Sequence, residues 1–246
     1  MKKIVSLALL GATTSLMALG GEQASLYKDP RVMGMGGANV AVGSYSSAVF
    51  SNPAGLTNIE KDHGFVVDIL SVGVTVSAQT QEFMDDLDGA GDDAAQIEEI
   101  INKYSGEAFN VQASNYSSVS KNSDAFAWSV GILAATDVSL MVHGNGSSTG
   151  APIEAAGRAY GGLVLGAAKE YDTSAGQLDI GLGLKYIQQT SYEGPLYVSD
   201  LQGDNAMEKL QEKYEKEATG FGVDLGINYK PFQNSKWHPS FGLSVL

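Results

Sequence analysis

The sequence predicts an all-β fold, an antiparallel transmembrane β-barrel, with about seven strands falling within residues 61–246. Three observations lead there. From residue 64 onward, apolar and polar residues alternate with a period of two, which places each set on one face of a strand. The links between these segments alternate long and short, as long loops on one side of a barrel and tight turns on the other would. No stretch after Gly20 reaches the roughly 18 consecutive apolar residues of a helical span, so a membrane location requires strands.

The chain opens Met1-Lys2-Lys3 and runs into an Ala- and Leu-rich stretch ending in small residues at Ala18 and Gly20. Residues 1–20 read as a secretory signal peptide cleaved after Gly20, with Ala24 as the second choice. A membrane anchor fits less well. The stretch is short, Thr13, Thr14 and Ser15 break it, and no charged stop-transfer flank follows.

The 246 residues contain no Cys, 15 Lys and Arg, and 28 Asp and Glu, for a net charge of −13. Disulfides, thiolate metal sites and thiol nucleophiles are thereby excluded. An acidic chain without clustered Lys and Arg also argues against a nucleic-acid partner.

The strands follow in order. In residues 65–78, Val66, Leu70, Val72, Val74 and Val76 are assigned one outward face, which Asp68 interrupts without an account; Phe65, Val67 and Ile69 are assigned to the inner one. Residues 108–118 form a second segment. In residues 125–143, alternate positions from Phe126 to Val142 keep one parity throughout, which predicts a single strand of about 18 residues, long by globular standards. In residues 158–171, Leu163, Leu165, Ala167 and Tyr171 align, and Lys169 must snorkel. Residues 177–187 set Leu178, Ile180, Leu182, Leu184 and Tyr186 against Asp179, Gly181, Gly183 and Lys185. Residues 221–229 set Phe221, Val223, Leu225, Ile227 and Tyr229 against Gly222, Asp224, Gly226 and Asn228. Residues 239–246 end the count at seven. The odd count and the chain's end inside an alternating segment read as the N-terminal half of a barrel, since bacterial single-chain barrels are even-stranded.

Helical spacing appears in two long loops. Ile97, Ile100, Ile101 and Tyr104 share a face in residues 92–104, and Met207, Leu210 and Tyr214 do so in residues 205–217. Several suggestive motifs dissolve on inspection. Gly34-x-Gly36 lacks the third Gly of a dinucleotide loop, residues 144–150 lack the Lys of a phosphate loop, and the acidic run 85–93 is out of register for an EF-hand. His63, His143 and His238 show no metal or triad spacing. No catalytic residue, metal or cofactor is expected.

Residues 21–60 do not alternate. They hold Gly34-Met35-Gly36-Gly37-Ala38 and Ala48-Val49-Phe50-Ser51-Asn52-Pro53-Ala54-Gly55-Leu56. Pro53 biases Asn52 toward extended backbone. This pairing resembles the N-terminal hatch of FadL-like outer-membrane proteins, and is most similar to the barrels named conjugal transfer protein TraF. The resemblance implies a barrel of about fourteen strands with residues 21–60 folded inside as a plug. It implies hatch or ligand-gating roles for Asn52, Pro53, Ala54, Gly34, Gly36 and Gly37. Thioredoxin-like proteins share the TraF name, but their thiol chemistry needs Cys.

Lumen-facing residues are then expected to be Phe65, Val67, Ile69, Asp179, Lys185 and Asp224. The expected partners are outer-membrane lipid and a hydrophobic small-molecule ligand, and the oligomeric state is left open. Passive uptake of hydrophobic molecules is the first functional expectation. The alternative is a non-transporting outer-membrane platform for conjugation, secretion or surface-protein assembly, with an exported soluble β-sandwich as a third.

Overall fold

The computed structural model describes residues 26–27, 29–146, 152–200, 215–232 and 236–246. The expected signal peptide, and residues 205–214 of the second expected loop helix, lie outside the described residues.

Seven strands form: β1 Phe65–Val76, β2 Ala108–Asn122, β3 Ala127–Val142, β4 Ile153–Thr173, β5 Gly176–Leu196, β6 Lys216–Lys230 and β7 Phe241–Val245. They make one antiparallel sheet in which neighbours in sequence are neighbours in space. The sheet is open: its order runs from β1 to β7, and among the described residues the two end strands do not pair. The expectation of a closed barrel around a plug is therefore corrected. Alternation and hairpin-length links specify facing and antiparallel neighbours, and an open sheet satisfies both. Closure depends on pairing the first strand with the last, about which side-chain periodicity says nothing.

β3 is one continuous strand, as its unbroken parity predicts. β4 and β5 are longer than their alternating cores, at 21 residues each, joined by a two-residue turn with Thr173 opposite Gly176. Their extra length, residues 153–157 and 188–196, has mixed composition. It is held as strand by regular cross-strand register, with Ile153, Ala155 and Leu196 as its buried apolar residues.

The two faces differ in chemistry. One face carries small or polar residues, among them Ser118, Ser120, Ser129, Gly166, Gly181, Gly226 and Asn228, and residues 29–60 lie on it. The chain there starts with α1 (Pro30–Gly34), whose N-cap Asp29 accepts from the Arg31 N–H, and continues as short 3-10 turns at Ser46–Phe50, Pro53–Asn58 and Lys61–His63. This segment reaches from Asp68 of β1 to Gly242 of β7, so the sheet curves around it. The other face carries Leu182, Leu184, Val223, Leu225, Ile227 and Leu243, all exposed.

β1 departs from the expected facing. Its pairing with β2 shifts between Asp68 and Ser71, where two residues, Ile69 and Leu70, oppose the single Ser117. This β-bulge holds Leu70 at φ 54°, with its N–H donating to Ser117 Oγ at 3.1 Å. Parity before the bulge is consequently the reverse of the expected one. Phe65, Val67 and Ile69 lie on the apolar outer face, 61%, 56% and 75% exposed, instead of the inner face assigned from sequence. Asp68 points inward and accepts from Ser46 Oγ at 2.6 Å. That contact supplies the account the alternation pattern lacked.

The loop between β1 and β2 folds into two helices, α2 (Thr80–Ala90) and α3 (Ala94–Lys103). Asp93 caps α3 by accepting from the Ala95 and Gln96 N–H groups. Ile97 and Ile101 are buried, as their spacing predicts, and Tyr104 just past the helix joins them. α2 carries Phe83, Leu87 and the small Ala90 toward the core, a short stripe with a single aromatic side chain. The pair packs on Phe109, Val142, Ile153, Ala155 and Leu196, with the rings of Phe83 and Phe109 stacked at 4.4 Å. These strand residues share the parity of the apolar outer face, so the helices cover that face at the long-loop end. Burying a side chain such as Phe83 contributes about 2–3 kcal/mol.

Candidate functional site

The turn Asn52-Pro53-Ala54 is the point where the N-terminal segment meets the sheet most closely. Asn52 is extended at φ −162°, as a residue before proline prefers, and its Oδ1 accepts from the Ala54 N–H at 3.0 Å. That bond fixes the orientation of the amide. Nδ2 then donates to the Val40 carbonyl at 2.7 Å and to Asn228 Oδ1 at 2.8 Å, with the Ile227 carbonyl at 3.2 Å. An Asn228 amide turned the other way would set one NH2 group against another, so the oxygen is the atom that faces Asn52.

Glycine makes this approach possible. Gly181 of β5 and Gly226 of β6 are cross-strand partners. A Cβ on Gly181 would overlap the backbone of Pro53 and Ala54; one on Gly226 would overlap Asn52 Oδ1 and come within 2.8 Å of Pro53 Cδ. Behind the turn, Gly43 at φ 66° approaches Gly55 equally closely, and the Ser44 N–H donates to the Gly55 carbonyl.

Two ion pairs flank this glycine window on β5 and β6, one of them with its lysine partly exposed. On one side Lys230 Nζ lies 2.9 Å from Asp179 Oδ2 and donates to Asn58 Oδ1, tying the segment to the sheet. On the other side Lys185 Nζ lies 2.5 Å from Asp224 Oδ2, with both side chains buried, and 5.4 Å from the centre of the Phe50 ring. Phe50 stacks edge-on against Tyr116, and Tyr27 touches both rings. Asp179, Lys185 and Asp224 thus surround the Asn52 turn on the face that carries residues 29–60.

The remaining expected site residues lie elsewhere. Gly34, Gly36 and Gly37 are exposed at the end of α1, where Gly36 and Gly37 take φ 66° and 82° and return N–H groups to Met33 and Val32. Their role is to terminate a helix. Gly36 and Gly37 border a cavity of about 360 Å³ that Phe50 and Ser51 also line, one residue short of Asn52. Phe65, Val67 and Ile69 are across the sheet, on the other side of the backbone.

A polar cluster ties the start of the segment to β1 and β2. Ser46 Oγ bridges Asp68 and Ser120, Ser47 Oγ donates to Asp29, and Tyr27 OH donates to the Ser71 carbonyl. Burial, reinforced by the carboxylates of Asp29 and Asp68, pushes the Tyr27 hydroxyl up to about 12, so it stays a donor throughout the physiological range.

Sequence reading placed Asn228 on the inner face without naming it as a site residue, and missed Lys230, Asn58 and Phe50. Lys230 had a usable signal: it shares parity with Asp224, Gly226 and Asn228, one step past the alternating segment. Phe50 and Asn58 had none, because residues 29–60 follow no period. Among the described residues, no group of three or more His, Asp or Glu side chains is placed to hold a metal ion. What the arrangement does is mechanical: it clamps a proline turn against a glycine window between two charge pairs.

No curated protein and no solved structure matches this chain. One family, described as the F plasmid transfer operon TraF protein, matches residues 49–238, well over half of the chain. The match opens inside the Ser46–Phe50 turn, takes in the Asn52 turn with its glycine window and both ion pairs, and runs beyond β6. On that extent the chain belongs to the F plasmid transfer operon TraF protein family.

Proposed function

We propose that this chain serves conjugal transfer as a non-catalytic docking platform, seated in the outer membrane through the apolar face of its sheet. The family description supports the transfer role, and one observation supports the lipid contact. On β5 the outward residues Leu178, Ile180, Leu182, Leu184 and Tyr186 are apolar over nine positions, and Gln188 and Thr190 follow. The eight steps from Leu178 to Tyr186 span about 27 Å at about 3.4 Å each, close to the ~25 Å height of a lipid-facing strand band. β6 repeats the band from Tyr229 to Phe221 in direct register, and α2 and α3 cover the same face beyond it.

Lipid excludes water from backbone groups, so the free edges of β1 and β7 need partners there. The reading therefore entails an assembly rather than this sheet alone in the bilayer. A FadL-like kinship, suggested by residues 34–37 and 48–56, would add uptake of a hydrophobic small molecule.

The deciding experiment is membrane fractionation of the full chain, followed by unfolding from phospholipid vesicles. Leu182→Arg should cost about 2–4 kcal/mol in vesicles if Leu182 lies near the midplane. Gly161→Ala, which meets nothing within 4 Å, should be silent. Extraction into buffer without detergent, or a harmless Leu182→Arg, would sink the lipid reading.

A further inference from the structure

Two lysines stand on the apolar outer face of the sheet, near its short turns. Lys121 of β2 lies 4.7 Å from the centre of the Phe65 ring, and Lys169 of β4 lies 5.6 Å from that of Tyr171. Lys61, Lys103, Lys185 and Lys230 each reach a carboxylate. Lys121 and Lys169 reach none among the described residues, in a chain with 28 Asp and Glu. Trp128, opposite Lys121 on β3, meets the Phe65 ring edge-on at 6.1 Å.

These residues fall on one sloping line. Lys121 shares a cross-strand row with Phe65, Trp128, Ala167, Leu182 and Leu225. Two strands on from β2, Lys169 stands two residues past Ala167 toward the short turns. Four strands on, Tyr229 stands four residues past Leu225, opposite Phe241. In a membrane, a line of constant depth across strands tilted by about 35–45° and about 4.8 Å apart steps by about one to one and a half residues per strand. Lys121, Lys169 and Tyr229 keep that step. On β5 the same line meets Leu178, four residues past Leu182, where the apolar band of that strand begins.

We propose that this line marks the depth of the lipid headgroups on the short-turn side, where Lys121 and Lys169 hold the phosphates of anionic phospholipids. The inference rests on the lipid contact proposed above and adds to it a depth and a headgroup. A lysine deep in hydrocarbon would strand its charge; at the edge of the band its stem lies on apolar surface and its ammonium reaches the headgroups. Aromatic rings such as Trp128, Tyr171 and Tyr229 suit the same depth, with an apolar body and a polar tip. A zwitterionic headgroup brings its own cation to the phosphate, so an anionic one gains more from a lysine.

The test measures binding of the full chain, by flotation, to vesicles of phosphatidylcholine alone or with an equal part of phosphatidylglycerol. At about fivefold for each lysine, Lys121→Gln/Lys169→Gln should lower the ratio of the two affinities at least tenfold. Lys103→Gln/Lys216→Gln removes as much charge at the long-loop end and should leave the ratio within about twofold. Circular dichroism checks that each variant is folded. Trp237→Phe leaves Trp128 as the sole tryptophan, and lipids brominated near the headgroup should quench it more than lipids brominated near the chain end. A ratio unmoved by the first pair, or moved equally by both pairs, would overturn the headgroup assignment even where Trp128 is quenched and the lipid contact stands. Stronger quenching by the deep bromines would overturn the depth. Absence of quenching by either lipid would remove the lipid contact itself, and this inference with it.

Discussion

Asn52 and Asn228 meet at 2.8 Å, both fully buried, and this amide pair joins the proline turn of the N-terminal segment to the middle of β6. Asn52 uses both halves of its amide, Oδ1 as the cap of Ala54 and Nδ2 as donor to Val40 and Asn228. Asn52→Ala removes the cap and leaves a buried carbonyl and amide oxygen without their donor. The expected loss is about 2–4 kcal/mol, from a cap of about 1 and the unpaired acceptors at about 1–3. Asn52→Asp keeps the cap but aims a carboxylate at two oxygens, and should be at least as damaging. Urea midpoints of the full chain measure both; an Asp variant as stable as the wild type would contradict the assigned hydrogen bonds.

The glycine window makes a sterically sharper prediction. Gly181→Ala drives a methyl into the backbone of Pro53 and Ala54, Gly226→Ala drives one into the side chains of Asn52 and Pro53, and each should lose about 1–3 kcal/mol or more. Gly161→Ala and Gly220→Ala meet open space and should match the wild type or exceed it slightly, because alanine restricts the unfolded chain. The four variants differ by one methyl each. If all four fell together, general strand effects would be responsible and the close approach would not.

The Lys185–Asp224 pair should behave as a buried unit. Lys185→Met strands the Asp224 carboxylate under Phe50 and should cost about 3–5 kcal/mol. Lys185→Met combined with Asp224→Leu should recover most of that loss, because the desolvation of both charges disappears with them. A double-mutant cycle measured by chemical denaturation gives the coupling. Additive losses would mean that water still reaches the pair.

The α2–α3 helices carry the pH-sensitive contact. Lys103 Nζ lies 2.7 Å from Asp86 and 3.3 Å from Glu82, and Tyr104 OH donates to Asp86 at 2.8 Å. The bond from Lys103, then that from Tyr104, holds the Asp86 carboxyl below its ordinary 3.8; the same contacts hold the Lys103 ammonium above its ordinary 10.5. Asp86 therefore contributes fully above pH 3.8 and loses its contribution as pH falls below that value. Lys103 contributes below pH 10.5 and loses its contribution as pH rises further. Amide hydrogen exchange in α2 and α3, corrected for intrinsic rates, should show most protection between these limits. Lys103→Met should flatten the acid limb, and an unchanged limb would remove Asp86 from the contact.

Period-two alternation carried most of the sheet: seven strands and their antiparallel order follow from the seven alternating segments and their links, and the inward placement of Asp179, Lys185 and Asp224 from residues 177–187 and 221–229. It could not carry closure, which turns on one long-range pairing between strands at opposite ends of the chain. Nor could it carry residues 29–60, where 3-10 turns hold Asn52, Asn58 and Phe50 in place through contacts more than 60 residues away in sequence, such as Asn122 to the Thr57 and Ile59 carbonyls. The failure at β1 was of a third kind. Val66, Leu70, Val72, Val74 and Val76 alternate in number, yet one extra residue splits them between two faces.

That extra residue is Leu70, and its deletion should have an unusual result. Removing one residue from a strand ordinarily turns every following side chain to the wrong face. Without Leu70, however, outward Ile69 would precede inward Ser71 and outward Val72, so facing is kept on both sides of the deletion. The left-handed backbone of Leu70 also disappears, and with it about 1–2 kcal/mol of strain. Against that stand the Leu70 N–H bond to Ser117 Oγ and the local twist the bulge supplies. The expected outcome is a folded protein within about 2 kcal/mol of the wild type, retaining the Ser46–Asp68 contact. Deleting Val74, which lies in regular register opposite Ala113, should instead turn Thr75 and Val76 over and loosen the join to α2. Denaturation midpoints of the two deletions decide the matter: if loss of Leu70 is as damaging as loss of Val74, the bulge is not what reverses the parity of β1.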